Sequence, residues 1–352
     1  DIHPPYVENG GLVGFDSSKY DLNKLEKYRV SYGDFVFAMT GATIGKIGRY
    51  IATAPAYLNQ RVLLFKPHKN VNKQYIYYAL QSRTFNGYII NHIDSETAQP
   101  NISANSVAGY ELKLPNYETQ VAIANILSSI DDKIELNRQI NHNLEQQAQA
   151  LFSHYFIENP EQLGNVTVGN LTQIASYVNG LAMQRFRPTD YEEGLPVLKI
   201  KELGQNAVDS NSDKCTHDID DIYKVFDGDV IFSWSGTLLV KVWAGGSCGL
   251  NQHLFKVTSK EYPQWFYYFW TKHHLDRFIR IAKDKAVTMG HIKRGELENS
   301  EVLIPRPEEL SQINERIAPL FEKSIRCSIE NRYLAELRDS LLPKLMAGEL
   351  IK

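Results

Sequence analysis

A lysine that follows a glycine-containing turn is the first candidate for chemistry in this chain. Residues 41–46 read GATIGK, which approaches a P-loop, the turn in which backbone amides and a lysine hold nucleotide phosphates. The segment is one residue too short, and Ile47 stands where Ser or Thr would ligate magnesium. Residues 236–241, GTLLVK, lack the second glycine. We therefore predict two turns that present Lys46 and Lys241, and no nucleotide site.

Elsewhere the sequence contains only incomplete versions of catalytic and metal-binding motifs. Residues 3–6 read HPPY, close to the [Asn/Asp/Ser]-Pro-Pro-aromatic motif of adenine-N6 methyltransferases, but His3 stands at its first position and no glycine-rich cofactor motif accompanies it. His273 and His274 are adjacent on a predicted helix and point in different directions. Residues 131–133, DDK, are interpreted as a solvated charge cluster on a long helix. These patterns indicate a binding protein and no enzyme.

Composition and charge narrow the class of protein. Hydrophobic residues make up 43% and charged residues 22%, which is typical of globular domains. The net charge of -3 means that any surface for nucleic acid must be local. The three cysteines, Cys215, Cys248 and Cys327, are far apart, which argues against a disulfide framework or a zinc site. This cysteine usage leads us to expect a cytoplasmic protein, and no apolar run approaches the roughly 18 residues of a membrane span.

An internal duplication organises the chain. Residues 33–41, GDFVFAMTG, recur 195 positions later as GDVIFSWSG. Further pairs follow in order: Lys46 with Lys241, 58–60 with 250–252, 74–78 with 264–268, and 112–115 with 302–305. The offset falls only to 190, which indicates two similar domains. Residues 166–195 of the second copy have no counterpart in the first, so we expect the first copy to be incomplete at its N-terminus.

Each copy reads as a strand-rich domain followed by a long helix. Residues 35–39 and 61–65 are short apolar runs typical of buried strands, and residues 72–92 favour a helix. Long helices are predicted from about 119 to 156 and again 190 residues later, where Pro319 and Pro343 suggest bends or breaks. Their heptad seams contain Ile123, Leu127, Ile130, Ile134, Leu144, Leu151, Ile313, Ile317, Leu320, Leu334 and Leu341.

Two seams of equal length favour a coiled coil between the helices, although a single stripe could simply face the core of its own domain. Asn residues in the middle of the seam would fix the register. Parallel and antiparallel pairing both remain open from the pattern. An antiparallel pair would relate the domains by a pseudo-two-fold axis and separate them by up to ~50 Å.

Polar side chains near strand ends and on loops are the candidates for DNA binding, because amides read adenine and Arg or Lys hold guanine or phosphates. Differences between equivalent loops predict different base sequences for the two domains. The candidates are Lys46, Thr97, Gln99, Asn101, Gln184, Arg185, Arg187, Lys241, Lys285, Thr288, His291, Lys293 and Arg294.

Because its motifs occur twice in the same order, the chain resembles the specificity subunits of type I restriction-modification systems. The resemblance rests on the Gly-Asp-strand-[Ser/Thr]-Gly segment, the Asn-Gln strand entry, the Leu/Ile-Pro step into a long helix, and the C-terminal residues 341–350, LLPKLMAGEL. It implies a mixed α/β (α+β) fold with target-recognition domains at 1–116 and 158–306. The long helices at 117–157 and 307–352 would form an antiparallel coiled coil.

The resemblance further implies a non-catalytic subunit that binds double-stranded DNA, each domain reading half of an asymmetric target. Two modification subunits would supply S-adenosylmethionine and methylate adenine, while restriction subunits would use ATP and Mg²⁺; this chain would hold no cofactor. One alternative is a coiled-coil scaffold without DNA specificity. Another is the specificity subunit of a stand-alone methyltransferase.

Overall fold

The protein, a computed structural model, is described over residues 6–7, 14–52, 54, 56–94, 100–284 and 292–349. It divides into two compact units, one made of residues 1–132 with 335–352 and the other of residues 133–334. Each unit therefore contains one sheet-bearing domain together with segments of both long helices.

The elements of the first domain are β1 (Tyr6–Val7), α1 (Leu22–Leu25), β2 (Arg29–Val30), β3 (Phe35–Ala38), β4 (Ile47–Tyr50), β5 (Ala56–Tyr57), β6 (Val62–Leu64), α2 (Lys73–Ala79), α3 (Arg83–Asn91) and α4 (Ala104–Ala108). The first long helix is α5 (Tyr117–Ser153), and one turn of π-helix (His154–Glu158) follows it.

The second domain is longer. Its elements are β7 (Thr167–Asn170), α6 (Leu171–Ile174), β8 (Ser176–Asn179), β9 (Leu195–Leu198), α7 (Ile200–Gln205), β10 (Lys214–Cys215), β11 (Lys224–Val225), β12 (Val230–Ser233), β13 (Leu239–Val242), β14 (Cys248–Leu250), β15 (Leu254–Thr258), α8 (Gln264–His273), α9 (Leu275–Asp284), α10 (Arg294–Glu298) and β16 (Glu301–Ile304). The second long helix is α11 (Pro307–Met346).

The duplicated segments build the same three-stranded arrangement twice, and a fourth strand is added at opposite edges of the two sheets. In the first domain β3 lies between β4 and β6, antiparallel to both, and β1 extends the sheet beside β4. In the second, β12 lies between β13 and β15 in the same way, and β8 extends the sheet beside β15. The predicted strands at 35–39 and 61–65 are confirmed. The single helix expected over 72–92 is two helices, because the side chain of Ser82 caps a new helix by accepting from the amide of Phe85.

The repeated Gly-Asp pair is a structural turn in both copies. Gly33 and Gly228 have φ values of +80° and +95°, a region that favours glycine. Oδ2 of Asp34 accepts from the amide of Ser31 and Oδ2 of Asp229 from that of Phe226, each at 2.8 Å. The shared motif therefore sets the entry into the central strand.

The expected equivalence of Lys46 and Lys241 is wrong. The central strand pairs Phe35 with Arg49 in the first copy, and its duplicate Val230 pairs with Val242 in the second. The hairpin of the second copy is thus two residues shorter, which places Lys241 within β13 instead of after the turn. Hydrogen-bonding register decides this equivalence, whereas the sequence match followed only the residue type.

Both long helices contribute to the domain cores. All of the predicted seam residues are buried or half-buried, but those near the helix ends pack into the domains. Ile123 and Leu127 share a buried cluster with Leu345 in the first unit, and Ile317 shares one with Phe152 in the second. The core-facing interpretation and the pairing interpretation of the heptads therefore both apply.

Amides in the middle of the seam fix an antiparallel register. Asn137 is 1% exposed, and its Nδ2 donates to Oδ1 of Asn331 at 3.0 Å and to Oε2 of Glu330 at 2.9 Å. One turn further along α5, Nδ2 of Asn141 donates to Oγ of Ser328 at 2.9 Å. Since residue numbers rise along α5 as they fall along α11, the helices are antiparallel within this unit.

Two expectations about the helices need correction. α11 continues through Pro319 and Pro343, so neither proline breaks it, and a local bend at either one stays a prediction. Asp131 is not solvated: it is 3% exposed and accepts hydrogen bonds from the Tyr78 hydroxyl at 2.7 Å and from Nη1 of Arg338 at 2.9 Å. Its two partners come from distant parts of the chain, which the local charge pattern could not reveal.

Candidate nucleic-acid interface

In the second domain, three strands meet at one end of the sheet. β8 ends at Asn179 opposite Phe255 of β15, and β12 ends at Ser233 opposite Leu254, where β15 begins. Loops that leave such an end are held by a rigid sheet, an arrangement common in recognition sites. The side chains at or beside these strand ends, together with two basic residues at the start of α10, form what we call the second strand-end surface: Asn179, Trp234, His253, Lys293 and Arg294.

Trp234 holds this surface together. Its indole Nε1 donates to Oδ1 of Asn179 at 3.0 Å, and its ring centroid lies 6.1 Å from that of His253 and 5.7 Å from that of Phe255. Its carbonyl accepts from the amide of Ile292 at 3.1 Å, which brings the next residue, Lys293, to the same end of the sheet. The half-buried ring of Trp234 is thus held between Asn179, His253 and Phe255.

An open groove of about 1020 Å³ runs along this surface. Tyr177, Trp234 and Phe255 provide aromatic walls, and the basic residues Lys260 and Arg294 are also among the lining residues. Aromatic rings beside cations can accept both base faces and phosphates. The groove therefore has the chemistry expected of a nucleic-acid surface.

Two of the predicted basic residues of this domain, Lys293 and Arg294, are accessible. Lys293 precedes α10 as its N-cap residue and is exposed, and the side chain of Arg294 is 80% exposed and 3.9 Å from Glu298. Both can reach a ligand without giving up a buried partner.

The segment after β8 contributes further basic groups. Gln184, Arg185 and Arg187 are exposed, while the neighbouring Met183 and Phe186 pack into a small apolar cluster. Alternation of anchoring and exposed residues presents the two guanidinium groups to solvent.

The first domain has an equivalent strand-end surface with different side chains. The amide of Ile102 donates to the carbonyl of Met39, and the amide of Met39 donates to that of Arg61, both at 2.9 Å. Lys46 and Arg61 are exposed there, and Asn101 forms backbone bridges with residues on either side. The backbone contacts match those of Ile292, Trp234 and His253, so the sequence differences lie on a common framework.

Sequence reasoning did not select Trp234, Asn179, Arg61 or His253. A usable signal was present, since Met39 and Trp234 occupy the same position of the repeated segment, and Arg61 and His253 each follow the repeated Asn-Gln pair. A position at which the two copies differ, while the residues on either side of it agree, is therefore a candidate for recognition.

The repeated asparagines themselves are structural. Oδ1 of Asn59 accepts from the amide of Arg61 at 2.8 Å, and Oδ1 of Asn251 accepts from that of His253 at 3.2 Å. In both copies the asparagine side chain thus closes a turn and positions the residue that follows the Asn-Gln pair.

Lys241 lies apart from the strand-end surface. Its ammonium donates to the carbonyl of Gly204 at 2.6 Å, and burial lowers its pKa. It lines a separate cavity of about 320 Å³ with Glu145, Lys272 and residues of α11. We therefore leave it out of the candidate interface. The other predicted residues Thr97, Gln99, Lys285, Thr288 and His291 lie outside the described residues and stay predictions, as does the motif at His3.

Reactive or metal-binding groups do not accompany this surface in the described ranges. The three cysteines are free and buried, and burial raises the pKa of Cys248 to about 12. No cluster of three or more His, Cys, Asp or Glu residues there could hold a metal ion. Among the same residues, no helix is both long and apolar enough to cross a membrane.

Comparison with known proteins identifies the class. The family model described as the type I restriction modification DNA specificity domain matches residues 2–146 and again residues 164–338. These matches cover most of the chain and follow its duplication. The chain therefore belongs to this family and contains two such domains, and its role is DNA recognition for specificity in a restriction-modification system.

Known specificity subunits are similar to this chain over most of its length. The specificity subunit of the type I restriction enzyme MjaIX from Methanocaldococcus jannaschii is 27% identical over 338 residues, covering 88% of this chain and 76% of that protein. The HindI specificity subunit of Haemophilus influenzae is 23% identical, covering 83% and 81%. The crystal structure of a type I S subunit from M. genitalium shares the fold, with a TM-score of 0.51, 16% identity, and coverage of 90% and 83%. Specificity subunits of this family are non-catalytic, bind DNA and assemble with methyltransferase subunits.

Proposed function

We propose that each domain reads one half of a bipartite, asymmetric DNA target and so directs adenine-N6 methylation by modification subunits bound to this chain. The observation that carries the proposal is the pair of strand-end surfaces, in which one backbone framework holds different side chains. Met39 and Arg61 in the first copy stand where Trp234 and His253 stand in the second. Different side chains at equivalent places read different bases.

The proposed division of labour leaves chemistry to the partners. S-adenosylmethionine binds in the modification subunits, of which two are present, and ATP and Mg²⁺ are used by restriction subunits where these assemble. The net charge of -3 suits such a complex, because the partners can supply much of the phosphate contact. The basic residues of the second strand-end surface would then contact the phosphates of the DNA backbone and position the domain on its half-site.

The direct test is to map methylated adenines in DNA exposed to the chain assembled with its modification subunits. The expected result is one bipartite motif with two unlike halves and one methylated adenine in each. Methylation of a motif with two identical halves, or methylation without sequence preference, would contradict the proposal.

A salt series tests the residues. Replacing Arg185 or Arg294 by Ala should reduce the slope of log K against log salt by about one unit for each phosphate that the variant no longer neutralises. Lys323→Ala is the matched control, because it removes an exposed cation from α11 in the same unit. An unchanged slope in both arginine variants, with assembly intact, would remove these residues from the interface.

A further inference from the structure

The junction between a domain and the long helices is built twice with different chemistry. Tyr78 and Tyr268 end the repeated segments and are 190 residues apart. The hydroxyl of Tyr78 donates to Asp131 at 2.7 Å, whereas the ring of Tyr268 lies 5.1 Å from that of Phe321. Asp131 and Phe321 are also 190 residues apart, so a carboxylate and a phenyl ring occupy the same place in the two copies.

In the first unit this place holds a buried ion pair. Nη1 of Arg338 lies 2.9 Å from Oδ1 of Asp131, and the two side chains are 19% and 4% exposed. Burial, followed by the charge of Asp131, raises the pKa of Tyr78, so the hydroxyl keeps its proton and donates. The carboxylate is thus satisfied by one helix partner and one domain partner.

In the second unit the same place is apolar. Ala148, 190 residues before Arg338, is 1% exposed and shares a buried cluster with Tyr268 and Phe321. The carboxylate of Glu145 accepts from the Tyr268 hydroxyl at 3.3 Å and pairs with Lys272, but it is 49% exposed. A methyl group and a phenyl ring therefore replace the guanidinium and the carboxylate.

This difference matters because the two helices share one heptad phase. By their periodicity alone, α5 could pair with α5 of a second copy, and α11 with α11. Asp131 faces Arg338 in this structure, and the equivalent of Arg338 in α5 is Ala148. Pairing of α5 with α5 would therefore place Asp131 against Ala148, and pairing of α11 with α11 would place Arg338 against Phe321. The first leaves the buried carboxylate of Asp131 without Arg338, which is strongly destabilising. The second leaves Arg338 beside an apolar ring with only the exposed carboxylate of Asp339 as its partner.

We propose that Asp131 and Arg338, supported by Tyr78, form a pairing lock that makes α5 pair with α11 and rejects pairing of α5 with α5, or of α11 with α11, between two copies of the chain. Buried polar groups are known to select partners and register in coiled coils at some expense of stability. The lock itself does not depend on how DNA is read. In a duplicated chain with two different domains, it keeps one domain of each kind in every particle.

The test uses two full-length chains with different affinity tags, expressed together and purified through one tag, with the other tag quantified. The wild-type chain should carry over only background amounts. Asp131→Leu combined with Arg338→Leu removes both charges, and replacement of a buried pair by apolar residues commonly preserves folding. The double variant should raise the captured fraction about tenfold, since that corresponds to a change of only 1.4 kcal/mol in pairing preference.

Background capture by a double variant that circular dichroism shows to be folded overturns the proposal, and so does wild-type capture as strong as that of the double variant. If the leucine variant does not fold, Asp131→Asn with Arg338→Gln is measured instead, because it removes both charges while the asparagine keeps the size of Asp131 and an acceptor for Tyr78. The control is Lys133→Ala, which breaks the half-exposed 3.5 Å pair with Glu330. An equal rise in this control would also overturn the lock, since removal of any ion pair would then suffice.

Discussion

Asn179 accepts a 3.0 Å hydrogen bond from the indole of Trp234, and this bond joins the ends of two strands that are separated by β15 in the sheet. The two residues are 55 positions apart in the chain. Because the bond fixes the orientation of a half-buried ring beside the groove, it couples the framework of the second domain to its recognition surface.

Replacing Asn179 by Ala should therefore weaken binding of the assembled complex to its own target by roughly tenfold, equivalent to about 1.4 kcal/mol for a missing hydrogen bond. Binding to a scrambled duplex should change much less. Fluorescence anisotropy with both duplexes measures the difference, and Asn211→Ala, at an exposed site of the same domain, is the control. Equal loss on both duplexes would mean that this pair does not contribute to specificity.

Replacing the glycine of the Gly-Asp turn should destabilise the protein through its backbone conformation. No heavy atom lies within 4 Å of a Cβ built on Gly33, so Gly33→Ala is penalised only through its φ of +80°. We expect the free energy of unfolding to fall by about 1–2 kcal/mol, and Gly33→Asn to lose less because Asn tolerates positive φ. Urea denaturation measures both. Gly295→Ala, at an open position in α10, should be neutral or stabilising.

The two junction tyrosines should differ in what their hydroxyls contribute. Tyr78→Phe leaves the buried carboxylate of Asp131 with one donor fewer, and we expect a loss of about 2 kcal/mol in unfolding free energy. Tyr268→Phe removes a 3.3 Å bond to a half-exposed carboxylate and should lose less than about 1 kcal/mol. Chemical denaturation of both variants gives the comparison, and similar losses would show that burial of Asp131 is not decisive.

His274 predicts an acid-sensitive second unit. Burial lowers its pKa from 6.5 to about 4, while Nε2 lies 2.8 Å from the carbonyl of Glu301. Between these values the unfolded chain binds a proton that the folded chain resists, so the unfolding free energy should fall as pH decreases from 6.5 to 4. Because the ring is only partly buried, we expect about 1–2 kcal/mol over this window.

Unfolding measured at several pH values in His274→Gln should show a flatter dependence, since the glutamine amide can still donate to the carbonyl and does not titrate. His217→Gln changes an exposed histidine of the same unit and should leave the slope as in the wild type. A flattened slope in His217→Gln and an unchanged one in His274→Gln would assign the titration elsewhere.

The parts of the candidate site that sequence could predict are those with local signals. Arg185, Arg187, Lys293 and Arg294 are exposed as expected, since short polar segments between anchored apolar residues rarely fold inward. Trp234 could not be selected in this way because an aromatic residue beside a strand is most often core. Its exposed edge depends on which strands end beside it.

The sequence by itself determined the duplication, the two heptad seams, the strands around the Gly-Asp turn and the family, because order and periodicity are properties of neighbouring residues. Only the tertiary structure decided that Lys241 lies on a strand, since register is set by hydrogen bonds between strands. It also decided that Asp131 is buried, because its partner Arg338 is 207 residues away. Burial of a charge depends on what packs against it, and that is settled only when distant segments meet.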